Sequence, residues 1–153
     1  MLVMATTSER ARAGEAWLLS CAAHPAGVQR AWEVEELAPL RSGAHWRVAE
    51  ARLLPSVQAM KRLRARGLGP VLADVEIDRA WWLLPPDLGD ELDDIRQLTV
   101  HPAGWILRCP PLHYSLDGRI WLERPDGSGR LTDPVLLGAA FSPGGYHPAE
   151  VRA

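Results

Sequence analysis

Several residue types are scarce in this chain of 153 residues, and each scarcity excludes a class of protein. There are only two cysteines, Cys21 and Cys109, which lie far apart and outside any CxxC pair. A zinc site or a disulfide framework is therefore not expected. No apolar run reaches the roughly 18 to 20 residues that cross a bilayer, and the first residues lack the basic head and apolar core of a secretory signal. We expect a cytoplasmic protein that does not engage a membrane.

The chain also lacks a surplus of positive charge. Seventeen basic residues stand against nineteen acidic ones, and Lys61 is the single lysine. A general electrostatic affinity for nucleic acid is therefore not expected, although a local basic patch is compatible with this balance. Neither GxSxG nor GxxxxGK[ST] occurs in the sequence, so nothing indicates nucleophilic catalysis or a phosphate-binding loop of that type.

What remains has the composition of an ordinary globular domain, with 47% hydrophobic and 24% charged residues. We predict one domain over residues 1–141 and a loose tail over 142–153, with a loop at 37–43 and a last helix capped by Thr132 or Asp133. Periodicity and turn signals predict further helices over 8–23, 28–36 and 56–67, and strands over 45–50, 70–78, 79–84, 97–100, 105–109 and 119–123. This order predicts an α+β fold, with a mostly antiparallel sheet and helices packed on one face.

An acidic run beginning at Asp74 is the most suggestive chemical feature. On a strand, Asp74, Glu76 and Asp78 would share one face, because alternate side chains point the same way. Such oxygen ligands could hold Mg²⁺ or Mn²⁺ for phosphoryl transfer. The alternative is that these acids lie on a solvent-exposed outer face of the sheet, with Val75 and Ile77 turned to the core.

A basic helical segment is the second feature, comprising Lys61, Arg62, Arg64 and Arg66. These side chains could contact the phosphates of a nucleic acid. The alternative is a solvated helix end whose cations complement the helix dipole.

Tryptophan is abundant, with seven residues against one phenylalanine and two tyrosines. Aromatic side chains on an exposed sheet face can stack on bases or contact a protein partner. Adjacent Trp81 and Trp82 would point to opposite faces of a strand, so one of them could lie outside the core. The alternative is that the strand tryptophans fill the core. Five of the seven fall on predicted strands: Trp46, Trp81, Trp82, Trp105 and Trp121.

The order of local patterns over residues 8–141 resembles short actinobacterial proteins related to the N-terminal domain of bifunctional DNA primase/polymerases. This domain is called prim-pol and belongs to the archaeo-eukaryotic primase group. The patterns are Cys21-Ala22-Ala23-His24-Pro25-Ala26, Arg30-Ala31-Trp32, Met60-Lys61-Arg62-Leu63, Gly67-Leu68-Gly69-Pro70-Val71, Asp78-Arg79-Ala80-Trp81-Trp82-Leu83-Leu84-Pro85-Pro86, Gly104-Trp105-Ile106-Leu107-Arg108-Cys109-Pro110-Pro111 and Leu131-Thr132-Asp133-Pro134.

The resemblance implies a catalytic site that this chain does not reproduce. Active family members carry two acids separated by one residue on the strand before the central helix, together with a Ser/Thr-x-His strand and a further acid. The comparable strand here offers Arg47 and a lone Glu50. The Asp74–Glu76 pair falls after the helix, whereas Thr99-Val100-His101 spells the second motif.

We therefore predict a non-catalytic prim-pol-like binding domain, without a metal or another cofactor, that recognises a protein partner or single-stranded nucleic acid. Trp81 and Trp82 would bind together with the basic segment. One alternative is a metal-dependent nucleotidyltransferase with a rearranged acidic site. It would use Asp74, Glu76, Asp78 and His101 with Mg²⁺ or Mn²⁺. A second alternative is an adaptor or regulator that contacts proteins only.

Overall fold

A computed structural model describes residues 6–142 of the chain, so the predicted loose tail lies outside the described residues beyond Ser142. The described part contains four α-helices, a 3₁₀ turn at Arg64–Arg66 and seven β-strands. The helices are α1 (Thr7–Ser20), α2 (Pro25–Glu33), α3 (Leu53–Leu63) and α4 (Pro134–Phe141). The strands are β1 (Ala38–Arg41), β2 (Arg47–Arg52), β3 (Val71–Asp74), β4 (Arg79–Leu84), β5 (Thr99–Val100), β6 (Ile106–Cys109) and β7 (Arg119–Glu123).

Five strands form the central sheet, in the order β5-β2-β4-β3-β7, and every pairing in it is antiparallel. The other two strands, β1 and β6, pair with each other as a separate antiparallel ribbon. The α+β class and the antiparallel pairing are therefore confirmed. No helix in residues 6–142 is long and apolar enough to cross a membrane.

The sheet separates two hydrophobic cores. On one face, α3 and α4 pack on residues such as Ala49, Ala80 and Trp82. On the other face, α1, α2 and the β1–β6 ribbon pack on Val48, Leu72 and their neighbours. The expected grouping of helices on one face thus holds only for α3 and α4. Helices α1 and α2 lie on the opposite face because each has one hydrophobic stripe to bury. The face of β2 that carries Val48 provides the apolar surface on which they pack.

Helix boundaries follow the capping chemistry of the chain. Thr6, rather than Ser8, caps α1, because its hydroxyl accepts a hydrogen bond from the amide of Glu9, whose carboxylate accepts one from the amide of Thr6. The predicted cap of α4 at Asp133 is confirmed by a hydrogen bond from the amide of Val135.

Two predicted elements were wrong. The segment predicted as a loop at 37–43 contains β1, whose Pro39 occupies an edge position and whose Ala38 and Leu40 are buried. The predicted strand over 70–78 ends at Asp74, and the next four residues form the turn between β3 and β4, called here the β3–β4 turn (residues 75–78). The β3–β4 turn changes the positions expected for the candidate acids Asp74, Glu76 and Asp78.

Candidate functional site

The three acids of the run do not share a strand face, because the β3–β4 turn interrupts it. Asp78 has the left-handed φ of 58° that reverses the chain before β4. Val75 and Ile77, which the strand interpretation turned to the core, are 60% and 52% exposed. The prediction of a row of carboxylates on one strand was therefore wrong, and the cause is a tight turn inside an alternating pattern.

Asp74 is buried and holds the turn together. One of its carboxylate oxygens accepts hydrogen bonds from the amides of Glu76, at 2.9 Å, and Ile77, at 3.3 Å. The other accepts a hydrogen bond from Arg119 Nε at 3.1 Å. Three of the roughly four acceptor positions of this carboxylate are thus occupied by the protein's own donors.

Asp78 is also neutralised within the fold. Its carboxylate lies 2.6 Å from the guanidinium of Arg52 and accepts a hydrogen bond from the amide of Leu53, the first residue of α3. The hydrogen bond from Arg52 lowers the pKa of Asp78 below its ordinary value. Glu76 is exposed and lies against Gly118. A Cβ atom added to Gly118 would come within 2.8 Å of the Glu76 side chain.

His101 is paired with an acid outside the run. His101 Nε2 and Glu50 Oε1 form a hydrogen bond of 2.8 Å, and the same oxygen accepts one from Trp81 Nε1 at 2.9 Å. The second oxygen of Glu50 lies 3.2 Å from Arg79 Nε. The imidazole stacks on Trp105, with ring centroids 3.8 Å apart and planes 2° from parallel. The imidazole of His101 is therefore held by a hydrogen bond at its edge and by stacking on its face.

The sequence indicates Glu50 and His101 as separate candidates and does not predict that they pair. They are far apart in sequence, and only the register of the sheet joins them, because Glu50 pairs with Thr99 of β5 and with Trp81 of β4. The signal that could have found the pair was Thr99-Val100-His101, which places His101 on the Glu50 face.

The residues do not fit a divalent metal. Within residues 6–142, no group of three or more His, Cys, Asp or Glu side chains is placed to hold an ion. Asp74, Asp78 and Glu50 each have an arginine partner, and an adjacent guanidinium repels a cation. The four predicted catalytic residues, Asp74, Glu76, Asp78 and His101, are therefore not brought together as a metal-dependent site.

Neither tryptophan predicted to bind is available for stacking. Trp81 is 3% and Trp82 0% exposed. They do point to opposite faces, but each face is covered. Trp82 packs edge-on against Phe141 and donates to Ser56 Oγ, whereas Trp81 lies under the guanidinium of Arg119 at 4.4 Å from its ring centroid. A tryptophan that lies on a strand covered on both faces has core neighbours in either direction.

The basic segment is exposed, as predicted. Its four cations line the end of α3 and the 3₁₀ turn. Arg62 donates a hydrogen bond to the carbonyl of Ala140, and Arg64 lies 4.0 Å from Glu123. Burial raises the pKa of Glu123, and Arg64 opposes that shift. The four cations are thus each exposed, and Arg64 forms an ion pair with a nearby carboxylate.

Both cysteines are buried as free thiols. Burial raises the pKa of Cys21 and of Cys109, which keeps them protonated and poorly nucleophilic. Comparisons of the whole chain with family models, with curated proteins and with solved structures found no match.

Proposed function

We propose that this chain is a prim-pol-like domain that has no metal-dependent catalysis and binds single-stranded nucleic acid through the basic segment. The observation that carries the proposal is the exposure of four cations within six residues at the end of α3. Polyanion binding by such a cluster releases condensed counterions, and this release drives association without requiring base-specific contacts.

The surroundings of the basic segment favour an anionic partner. Its nearest carboxylate, Glu123, has a raised pKa and therefore holds a proton more readily than an ordinary glutamate. Beyond Glu123 lies a cleft that Arg124 and Arg130 line together with the half-buried ring of Trp17 and the carboxylate of Asp126. Cations and one accessible aromatic ring beside each other are the chemistry that tracks a phosphate backbone and contacts a base.

The prim-pol relationship is supported by one juxtaposition. The family pattern pairs the acid strand before the central helix with a Ser/Thr-x-His strand. Here Glu50 of β2, the strand before α3, contacts His101 of the Thr-x-His segment. Arg79, Trp81 and Trp105 fill the space around this pair, which is where the family's metal ions would need further acids. We infer that the scaffold persists without the metal cage, and that the two free thiols reflect a reducing, cytoplasmic location.

The test is a titration of a fluorescently labelled single-stranded oligonucleotide, followed by anisotropy over a range of salt concentrations. With up to three phosphate contacts, from Lys61, Arg64 and Arg66, the logarithm of the binding constant should fall against the logarithm of salt with a slope of about −2. The double variant Lys61→Gln/Arg66→Gln should weaken binding and reduce the slope by about 1 to 1.5. Arg62 is left intact because it supports the end of α4.

The matched control is Arg12→Gln/Arg96→Gln, which removes two exposed cations elsewhere on the surface. It should bind like the parent protein. Equal loss in both double variants would show a non-specific charge effect and contradict the proposal. No binding at low salt would favour the protein-only adaptor. A rise in melting temperature with Mn²⁺ would favour the nucleotidyltransferase alternative, because a ligand of the folded state stabilises it.

A further inference from the structure

An open groove of about 420 Å³ lies between the start of α2 and the β1–β6 ribbon. This volume is in the range of small-molecule sites. The walls are mostly apolar, formed by Ala22, Ala23, Val28, Pro39 and Ile106. Ile106 is 38% exposed although it lies on a strand, so the groove leaves apolar surface in contact with water.

The polar groups of the groove are all basic. His24 and Arg41 line it, and no carboxylate does so within residues 6–142. Arg41 stands opposite Ile106 in the ribbon register, and its Nη1 donates to the carbonyl of Gly104 at 3.1 Å. This hydrogen bond uses one of the five N–H donors of the guanidinium, so others can donate to a ligand in the groove. A guanidinium held beside an apolar wall binds a carboxylate or phosphate in preference to a neutral polar group.

Gly27 lines the groove and keeps it open. It lies in the first turn of α2, where alanine has the higher helix propensity. A side-chain carbon there would meet nothing closer than His24 Cβ, at 3.8 Å, and Arg30 Nη2, at 3.9 Å, so packing does not require glycine. A side chain at this position would instead occupy the groove. Glycine at this position therefore leaves the groove open.

We propose that this groove binds a small organic anion, with a carboxylate or phosphate group at Arg41 and His24 and an apolar body against Val28 and Ile106. The inference is independent of the proposed nucleic-acid surface, because none of the residues of the basic segment lines this groove.

The experiment is an NMR titration of the ¹⁵N-labelled protein with three probes: 3-phenylpropionate, phenyl phosphate and uncharged 3-phenylpropionamide. At least one anion should produce saturable shifts of the Gly27, Val28 and Ile106 amides. The amide probe should bind at least about tenfold more weakly, since it lacks the charge-assisted hydrogen bonds. The ratio between the two anions distinguishes carboxylate from phosphate recognition.

Two variants locate the site by separate means. Gly27→Leu should fill the groove and abolish the shifts while leaving the melting temperature equal or higher. Arg41→Gln should weaken binding of the anions by about tenfold and leave the amide probe unaffected. Arg12→Gln is the matched control and should bind like the parent. Equal affinity for anion and amide, unchanged affinity in either groove variant, or no saturable shift with either anion would overturn the proposal.

Discussion

Replacing Asp74 with alanine tests whether this acid is structural or a remnant of catalysis. The Asp74 side chain is 8% and that of Arg119 16% exposed, so their ion pair is largely shielded from water. Removing one partner of a buried pair costs about 3 to 5 kcal/mol, because the other charge is left uncompensated. Arg119 keeps some contact with solvent and a hydrogen bond to the carbonyl of Arg108, which places the loss near the lower limit. We expect Asp74→Ala to lower the free energy of unfolding by about 3 kcal/mol.

The assay is urea denaturation near neutral pH followed by tryptophan fluorescence, since Trp81 lies directly under Arg119. Asp74→Asn retains an oxygen for the amides of the β3–β4 turn and should lose less than the alanine variant. Asp93→Ala, at an exposed position, is the control and should change stability by less than about 0.5 kcal/mol. A carboxylate kept for metal binding is usually a local source of repulsion, so its removal would stabilise the fold. An Asp74→Ala variant as stable as the parent would refute the structural assignment.

Three further substitutions probe the packing and the charges. Gly14→Ala should cost about 2 to 3 kcal/mol in the same denaturation assay, because its new carbon would overlap a backbone carbonyl; a loss below 1 kcal/mol would contradict that contact. Ser56→Ala should cost about 1 to 2 kcal/mol, since it leaves the buried N–H of Trp82 without its acceptor, whereas Ser56→Thr should retain most of the stability. The lowered pKa of Asp78 means that its contribution is present above the ordinary carboxyl pKa of 3.8 and is lost as the pH falls below it. In the Asp78→Asn variant, the melting temperature should therefore fall less steeply as the pH drops below about 4. A fall as steep as that of the parent protein would contradict the lowered pKa of Asp78.

The parts of the fold that local chemistry determines were predictable from sequence. Strand β7 after the Asp117-Gly118 turn and helix α4 after Asp133 were both correct. In both cases a turn or cap residue determines where the element begins, and it lies within a few positions of that element. Strand β1 was missed because its signal is non-local: a proline-containing segment becomes a strand only when β6 arrives beside it.

The candidate site was less predictable, for a related reason. Alternation in the segment around Val75 is the same for a strand as for a turn whose tip carries two exposed apolar residues. The decisive feature, the left-handed backbone of Asp78, is compatible with aspartate but not required by it. The exposure of the basic segment was predictable because arginines on a short helix end have a single outward face.

The β1–β6 ribbon has a consequence for the order in which the molecule assembles. Its two strands are far apart in the chain and have no other strand partner among residues 6–142, so neither can be ordered by local turn formation. Helix α2 depends on the same event, because the indole of Trp32 donates to the carbonyl of Cys109 at the end of β6. During synthesis, the region that contains α2 and β1 therefore leaves the ribosome well before β6 exists. It is the region where we expect the latest hydrogen-exchange protection and the greatest dependence on chaperones.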